Sequence, residues 1–388
     1  MNKKQIIGIG IFVVLILLIV VIKFFTDGGS TGSLTTVYFA TGGGKEDFIN
    51  DEDINKILKK KYKLNVVYDT WSNGKTVKLP LVRESVGLGN TNITPGFDIH
   101  TKGTTPYDAL FTSDQRFYDY YKLNPNKENG EADRWTVLDG GLVLYTPIIL
   151  YSWTQVADKL VNQGIVTVGE DGIYYITDMS KLINLILESK SWGDIGLTDL
   201  YGKINIASTD PVTSSPGATY YGLLLSILSN GDINDENIET NLAKLKVYYT
   251  KSGYMNNTPA DLFERYLKTG LGGEPIIVDY EKSLIEFAIS NPNGYKQVKD
   301  NMVLLYPKPT MWNTHNMAAF TEAGKELYKA LQDEEIQKIA WEKYGYRTGF
   351  VGSNYSAEAL GVNVPSTLTS TVSTLKYDHY NKLIDYLK

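Results

Sequence analysis

The sequence predicts an α/β protein that begins with a single transmembrane helix. A predicted strand, helix and strand follow one another within residues 35–68, which is typical of a βαβ unit with parallel strands. Further short apolar segments alternate with amphipathic ones along the rest of the chain. An uncharged run from Ile6 to Ile22 is long enough to span the core of a bilayer. The length of 388 residues favours two domains.

The amino-terminal run also predicts the location of the protein. Lys3 and Lys4 precede the run and Lys23 follows it, so the short tail is expected in the cytoplasm. No small-x-small cleavage site comes after it, which favours an uncleaved signal anchor (residues 1–27) over a removed signal peptide. The glycine- and serine-rich residues 28–34 are typical of a flexible linker. We therefore expect a single-pass cell-membrane protein with its bulk outside the cell.

A first polar loop follows the predicted strand Thr35 to Ala40. Ligands of open α/β sheets bind at the carboxyl ends of strands, and glycine lets the backbone approach a ligand closely. The same glycines also suit a turn with a positive φ, and both interpretations stay open here. The loop is not a phosphate-binding P-loop, because Lys45 is followed by Glu46 rather than serine or threonine. The candidate ligand-binding residues of this loop are Thr41, Gly42 and Gly43.

A second polar loop follows the short predicted strand Tyr107 to Phe111. Ser113 and Asp114 in this loop are candidate hydrogen-bonding partners of a ligand. The alternative is that they cap the helix that comes next.

A third loop, Ser208 to Tyr221, is rich in hydroxyl groups and lies between a predicted strand (Lys203 to Ala207) and a predicted helix (Tyr221 to Leu228). The free N–H groups and the positive dipole end of a helix attract anions and polar ligands. Serine and threonine at that place also act as ordinary helix caps. The candidate ligand-binding residues of this loop are Ser214, Ser215, Gly217 and Thr219.

Tyr280 is a further candidate, because it ends the predicted strand Pro275 to Tyr280 near the same edge of the sheet. Core packing is the alternative for this side chain. His315 is interpreted as a structural histidine, with a ligand contact as the alternative. Arg347 is interpreted as a cation that stabilises a helix carboxyl end, with an anion clamp as the alternative.

The remaining pattern predicts a long apolar strand and a series of helices. A helix is expected from Lys45 to about Tyr62, followed by a strand from Leu64 to Tyr68. The other predicted strands are Leu142–Trp153 and Asn301–Tyr306, and the other predicted helices are Met179–Leu187, Ile238–Tyr248, Pro259–Leu267, Glu281–Ile289, Thr321–Leu331 and Glu334–Tyr344.

Composition excludes several classes of function. The net charge is −6 and no long basic stretch exists, so nucleic acid is not an expected partner. The chain has no cysteine, which excludes a disulfide framework, thiolate metal sites and a cysteine nucleophile. The three histidines are widely spaced and no Gly-x-Ser-x-Gly elbow is present. We therefore expect no catalytic residues, no metal site and no cofactor.

The order of elements and several short motifs resemble the type II periplasmic-binding-protein family of bacterial extracellular solute-binding proteins. The third loop resembles that family's ligand loop before a helix. The carboxyl-terminal part is similar to solute-binding modules that in some proteins are fused to von Willebrand A domains, where a Gly-Phe-Arg stands in place of Gly345-Tyr346-Arg347. The residues that match that part are Tyr306, Pro307, Thr310, Trp312, His315 and Arg347.

The resemblance implies two α/β lobes with mixed, mainly parallel sheets, joined by crossing strands around a ligand cleft. Lobe one maps to residues 35–150 plus 311–388, and lobe two to residues 151–310. It further implies that the protein captures a small polar or anionic ligand by lobe closure, with the permease subunits of an ABC-type importer as partners.

The resemblance leaves other functions open. Some members of the family bind ferric iron through tyrosinates, so the pair Tyr220 and Tyr221 is an alternative iron site. A surface sensor or interaction protein on the same scaffold, without transport, is the second hypothesis. A surface hydrolase is the third, because glycosidase chemistry needs only two carboxylates across a cleft.

Overall fold

The computed structural model describes residues 33–71, 107–123, 136–234, 236–349 and 357–388. The predicted transmembrane helix and most of the predicted linker lie outside these residues. Within the described part, no helix is both long enough and apolar enough to cross a membrane.

The described strands form one connected mixed sheet, in which β2-β1-β3-β9-β4-β8-β6-β5 are neighbours. Of the three further strands, β7 and β10 pair with β4, and β11 pairs with β9. The strands are β1 (Thr35–Gly42), β2 (Leu64–Trp71), β3 (Ala109–Phe111), β4 (Asp139–Trp153), β5 (Val166–Val168), β6 (Tyr174–Ile176), β7 (Ile276–Tyr280), β8 (Met302–Pro307), β9 (Thr310–Ala319), β10 (Arg347–Thr348) and β11 (Thr371–Val372).

Helices cover the sheet. In the described residues they are α1 (Glu46–Asn50), α2 (Glu52–Lys61), α3 (Gln115–Leu123), α4 (Thr154–Asn162), α5 (Met179–Leu187), α6 (Ser215–Leu228), α7 (Ile238–Ser252), α8 (Pro259–Gly273), α9 (Glu281–Ser290), α10 (Pro292–Val298), α11 (Glu322–Leu331), α12 (Glu334–Tyr344) and α13 (Tyr377–Leu387).

The long strand β4 divides the sheet into two sections. Its residues 139–147 pair with β9, which continues through β3 to β1 and β2; we call this part the first sheet section. Its residues 148–153 pair with β7 and β8, which lead on to β6 and β5; this part is the second sheet section. Among the described residues, two apolar cores lie against the first section and two against the second.

The predicted α/β class is confirmed, but the expectation of mainly parallel pairing is wrong. Six of the ten pairings between described strands are antiparallel. The reason is that β4 and the returning strand β9 run side by side in opposite directions, and each brings antiparallel neighbours. Parallel pairing by a helical crossover is retained in β1 and β2.

The segment from Lys203 to Ala207 is not the continuous strand that its apolar pattern predicts. Lys203 makes an isolated antiparallel bridge to Ser191, and Ala207 an isolated parallel bridge to Ile277. Because its two ends pair with different partners, no regular ladder forms. The bridge still brings the third predicted loop next to β7, since the Ala207 N–H donates to the Ile276 carbonyl over 3.0 Å.

The helix predicted from Lys45 to about Tyr62 is two helices, α1 and α2. Asp51 interrupts it with an extended ψ of 129°, and its carboxylate accepts the N–H groups of Asp53 and Ile54 at 2.9 and 3.0 Å. Asp51 therefore caps α2, as aspartate commonly does. Lys343 and Tyr344 of α12 donate to its other oxygen, which joins the two helices.

Replacing Asp51 by alanine is expected to lower the free energy of unfolding by about 1–2 kcal/mol, the usual cost of losing such a cap. Burial opposes the ionised form of Asp51, but the hydrogen bonds from Lys343, Ile54 and Tyr344 outweigh it and lower the pKa below 3.8. The charged carboxylate therefore contributes to the free energy of unfolding above pH 3.8. This contribution is lost as the pH falls through the lower pKa that Asp51 has in the folded protein.

Urea titrations of Asp51→Ala between pH 2.5 and 7 measure this effect. Asp53→Ala is the matched control, because Asp53 lies in the same helical turn with an exposed side chain whose one hydrogen-bond partner in the described residues is Lys343. Equal destabilisation by both variants would contradict the capping role.

The carboxyl-terminal helix α13 contacts elements beside both sheet sections. Its residues Leu383, Ile384 and Leu387 belong to a core of the second section. The Tyr380 ring lies under the guanidinium of Arg116 in α3, with 3.6 Å between the Arg116 Cζ and the ring centre. At its end, Lys246 of α7 donates to the Leu387 carbonyl over 2.7 Å.

Candidate ligand-binding site

The first two predicted loops meet at the carboxyl ends of β1 and β3. The Thr41 hydroxyl donates to the Phe111 carbonyl over 3.1 Å. Lys45 donates from its Nζ to the Gly42 carbonyl at 3.0 Å and to the Ser113 Oγ at 2.7 Å. The Ser113 hydroxyl in turn donates to the Gly43 carbonyl at 3.1 Å. The structure thus brings Thr41, Gly42, Gly43 and Ser113 together, as the strand order predicts.

Close approach, not a positive φ, explains the glycine at position 42. A Cβ there would lie 2.1 Å from the Ser113 Oγ, and φ is not in the left-handed region. The left-handed residue of this loop is Gly44, whose φ is 85°. Gly43 is exposed, and a Cβ there would meet no atom closer than 3.7 Å.

Asp114 is engaged by Arg116. The Asp114 Oδ1 accepts the Arg116 N–H at 2.9 Å and the Nε at 2.7 Å, and the second guanidinium nitrogen contacts Oδ2. Both side chains are buried. The Asp114 carboxylate is therefore occupied by Arg116, and the bond from the Arg116 backbone N–H supports the alternative that Asp114 caps α3.

Gly217 in the third loop lies as close to neighbouring atoms as Gly42 does in the first loop. A Cβ on Gly217 would lie 2.2 Å from the Thr209 carbonyl oxygen, so only glycine fits at this turn of α6. The Thr219 hydroxyl accepts the Nδ2 of Asn313 in β9 at 3.2 Å. Ser214 and Ser215 are buried at the start of α6, and the Ser214 side chain makes no capping hydrogen bond. The capping alternative is therefore wrong for Ser214.

Tyr280 is buried at the end of β7, beside α9. Burial raises its pKa well above 10, with the charge of Asp114 adding to the effect and that of Arg116 opposing it. Tyr280 of the second section thus lies within electrostatic reach of the ion pair of the first, and its hydroxyl stays protonated as a donor.

A group of buried cationic and polar side chains lies beside these loops, and the sequence did not predict that its members come together. We call Lys45, Lys282, His315 and Tyr346 the basic cluster. The His315 ring packs edge-on against Tyr346 with 5.1 Å between ring centres, and the Lys282 Nζ lies 4.9 Å from the same Tyr346 ring. The Tyr346 hydroxyl donates to the Gly44 carbonyl at 2.7 Å, which closes the group against the first loop.

Two members of the basic cluster, Lys45 and His315, have lowered pKa values. Burial, assisted by the charge of Lys282, lowers the pKa of Lys45 to about 7, against the opposing charge of Glu46. Burial and the charges of Lys45 and Lys282 together lower the pKa of His315 well below 6.5, so its imidazole is neutral at physiological pH. Among the described residues neither ring nitrogen of His315 has a hydrogen-bond partner.

Arg347 is not the helix-end cation that the sequence indicates. It lies in β10, where its Nε and Nη2 donate to the two oxygens of Glu281 at 2.7 and 2.9 Å. Tyr306 donates its hydroxyl to the same carboxylate at 2.8 Å. No sequence signal marked this pair, because its members are 66 positions apart.

The alternative iron site at Tyr220 and Tyr221 is wrong. Both rings are fully buried in α6, where Tyr220 hydrogen-bonds to the Tyr248 hydroxyl at 2.7 Å. Burial raises the pKa of both phenols, which opposes the tyrosinate form that ferric iron requires. No group of three or more acidic or histidine side chains in the described part of the chain is arranged to hold a metal.

Comparison with solved structures defines the fold. The chain is similar to a protein from Bordetella parapertussis assigned as an extracellular solute-binding protein, with 16% identity, a TM-score of 0.55, and coverage of 91% of this chain and 96% of the other. The fold is that of a solute-binding protein. An ABC transporter structure from Clostridium perfringens matches with 14% identity and a TM-score of 0.52, covering 90% and 96% of the two chains.

A Trichodesmium protein in complex with iron and citrate is also similar, with 13% identity, a TM-score of 0.52, and coverage of 91% and 98%. No protein-family model and no curated protein matches the sequence. Identities this low show the fold alone. The predicted resemblance is therefore confirmed at the level of fold, and the likeness to modules with von Willebrand A domains stays a prediction.

Proposed function

We propose that this chain is a membrane-anchored extracellular solute-binding protein that captures a small polar or anionic ligand by closure of two lobes. Its partners would be the permease subunits of an ABC-type importer. Lobe one would comprise residues 35–150 and 311–388, and lobe two residues 151–310. The first sheet section would then belong to lobe one and most of the second to lobe two, with α13 of lobe one packed on a core of the second section. The helix at Ile6–Ile22 would hold the protein to the membrane.

The observation that carries the proposal is the convergence of polar groups from both sections at the carboxyl ends of their strands. Lys45 and Ser113 come from the first section, while Thr219 and Tyr280 come from elements of the second. The Asn313 to Thr219 hydrogen bond joins the two groups. A solute held there contacts both lobes only when they are closed, so binding shifts the population toward closure.

A binding role also fits the chemistry better than catalysis. Two of the buried carboxylates of this region, Asp114 and Glu281, are each paired with an arginine. A general acid or base must reach the reacting group with a free proton site. Glycosidase chemistry at these two carboxylates would first have to break both ion pairs.

Lobe closure is tested by a distance measured between spin labels. The chain has no cysteine, so cysteines introduced at exposed Lys60 in α2 and exposed Lys244 in α7 are labelled specifically. Full-length protein in detergent is first examined by native mass spectrometry for solute that co-purifies, and the released solute is identified. Adding that solute to stripped protein is expected to shorten the label distance and raise the melting temperature.

The control pair, Asn184 in α5 with Lys244, lies within the second section and its distance should not change. An unchanged Lys60–Lys244 distance with the released solute and with sulfate, phosphate, citrate, maltose and glutamine overturns the proposal.

A further inference from the structure

We infer that the captured solute carries an oxyanion group (carboxylate, sulfate or phosphate) that binds to the Lys45 ammonium beside His315 and Lys282, and that binding takes up one proton from solvent. The inference rests on the proposed function, because it names the class of solute for the same site. In this inference Lys45 is the residue that recognises the negative charge of the solute.

Lys45 is a buried cation that lacks an anionic partner. Its side chain is 1% exposed, and its Nζ donates to two neutral acceptors, the Gly42 carbonyl and the Ser113 hydroxyl. An ammonium has three protons, and within the described residues the third has no acceptor and no carboxylate forms an ion pair with it. Buried charges are normally paired, because leaving water unpaired is costly. An oxyanion supplies the missing partner.

His315 provides a second contact for the same group. The residue is 2% exposed, and neither ring nitrogen has a partner in the described part of the protein. Buried polar atoms are almost always hydrogen-bonded, so an unsatisfied imidazole points to a group that binds there. A neutral imidazole has one N–H, which it can donate to an oxyanion. Asn313, two residues earlier on β9, uses its Nδ2 for Thr219 and thereby fixes the wall of the site.

The titratable groups around Lys45 come from five elements. Glu46 on α1 has one oxygen engaged by the Gly44 N–H at 2.7 Å. On α9, Lys282 pairs with Glu286 at 2.7 Å. Tyr346 and His315 face the cluster from the segment before β10 and from β9, and both are uncharged at neutral pH, since burial raises the pKa of Tyr346 to about 12. Asp279 on β7 is the remaining titratable group, and burial raises its pKa to about 7.

The direction of the pH effect follows from these groups. In the free protein Lys45 has a pKa of about 7, so above pH 7 it is mainly the neutral amine. A bound oxyanion favours the ammonium and raises that pKa, so the amine takes a proton from water as the solute binds. The dissociation constant is then expected to increase as the pH rises above 7, by up to about tenfold per pH unit.

Isothermal titration calorimetry of full-length protein tests the inference. Sulfate, phosphate, citrate and acetate distinguish inorganic oxyanions from carboxylates, and maltose represents solutes without a charged group. Titrations at pH 8 in Tris and in HEPES, whose ionisation enthalpies differ, count the protons taken up. We expect an oxyanion to bind with uptake approaching one proton at pH 8 and less at pH 6.

Lys45→Met is the decisive variant. It should bind the oxyanion at least tenfold more weakly at pH 7 and lose the proton uptake, without a lower melting temperature, because it removes the desolvation cost of a buried ammonium. Asp279→Asn is the control for the other group that titrates near pH 7, and it should retain the proton uptake of the unmodified protein.

Three results overturn the inference. The first is an oxyanion that binds Lys45→Met as tightly as the unmodified protein. The second is proton uptake that disappears in Asp279→Asn but not in Lys45→Met. The third is closure by maltose or by an uncharged co-purified solute with no binding of any oxyanion, which leaves the proposed function intact. Failure of every solute to close the lobes would instead refute the proposed function itself.

Discussion

Replacing Glu281 by glutamine is expected to lower the free energy of unfolding by about 3–5 kcal/mol, the usual cost of breaking one side of a buried ion pair. Glu281 is fully buried and Arg347 is 2% exposed, so the guanidinium would be left without its counter-charge in a place that water does not reach. Arg347 also donates to the Pro365 carbonyl at 2.6 Å and the Ser366 carbonyl at 3.2 Å, which prevents it from moving out. Urea unfolding measures the change.

The matched control is Glu264→Gln in the exposed pair of Glu264 and Lys268, whose side chains are 63% and 71% exposed. Surface pairs of this kind contribute about 0.5 kcal/mol or less. The double variant Glu281→Met with Arg347→Met should be less destabilised than the sum of the two single variants, because no unpaired charge is left. An effect of Glu281→Gln no larger than that of Glu264→Gln would contradict the structural role of the pair.

The second large effect is expected for Gly217→Ala, at about 1–3 kcal/mol of stability, together with weaker binding of any solute that closes the lobes. The new Cβ would lie 2.2 Å from the Thr209 carbonyl oxygen and 2.9 Å from the Pro211 nitrogen. These are backbone atoms, so the third loop and the first turn of α6 have to separate. That movement also displaces Thr219 from Asn313.

Gly272→Ala near the end of α8 is the control, because no atom lies within 4 Å of its new Cβ. It should be neutral or slightly stabilising, since alanine favours a helix over glycine. Thermal melts and solute titrations of the two variants compare the effects. Equal melting temperatures and equal solute affinities of the two variants would contradict the steric clash expected at Gly217.

The elements that could be predicted are those whose local pattern agrees with their packing. Helix α12 has the predicted bounds, because Asp333 caps its start, Gly345 ends it in the left-handed region, and its apolar face is regular. The strands β1, β7 and β8 were recognised for the same reason. The polar loops that follow β1 and β3 were placed at the site because parallel strands end on the same edge.

The features that could not be predicted depend on contacts distant in sequence. The break at Asp51 lies in an unbroken helical pattern, and it is stabilised by Lys343 and Tyr344 almost 300 residues away. The antiparallel pairing of β4 with β9 is likewise set by the path of the chain between them. Lys45 was predicted to open a helix, but its orientation could not be predicted, and only the folded chain shows that its side chain is buried under the glycine turn.

The position of α13 has a consequence for how readily the proposed cleft opens without solute. The Tyr380 ring packs against the Arg116 guanidinium beside the first section, while the Leu387 carbonyl accepts a hydrogen bond from Lys246 beside the second. If the two sections are lobes that move apart, their separation would have to break one of these contacts, so α13 would favour the closed form over the open form. A closed form that is already populated would lower the conformational cost of binding, so both contacts would contribute to the affinity for the solute.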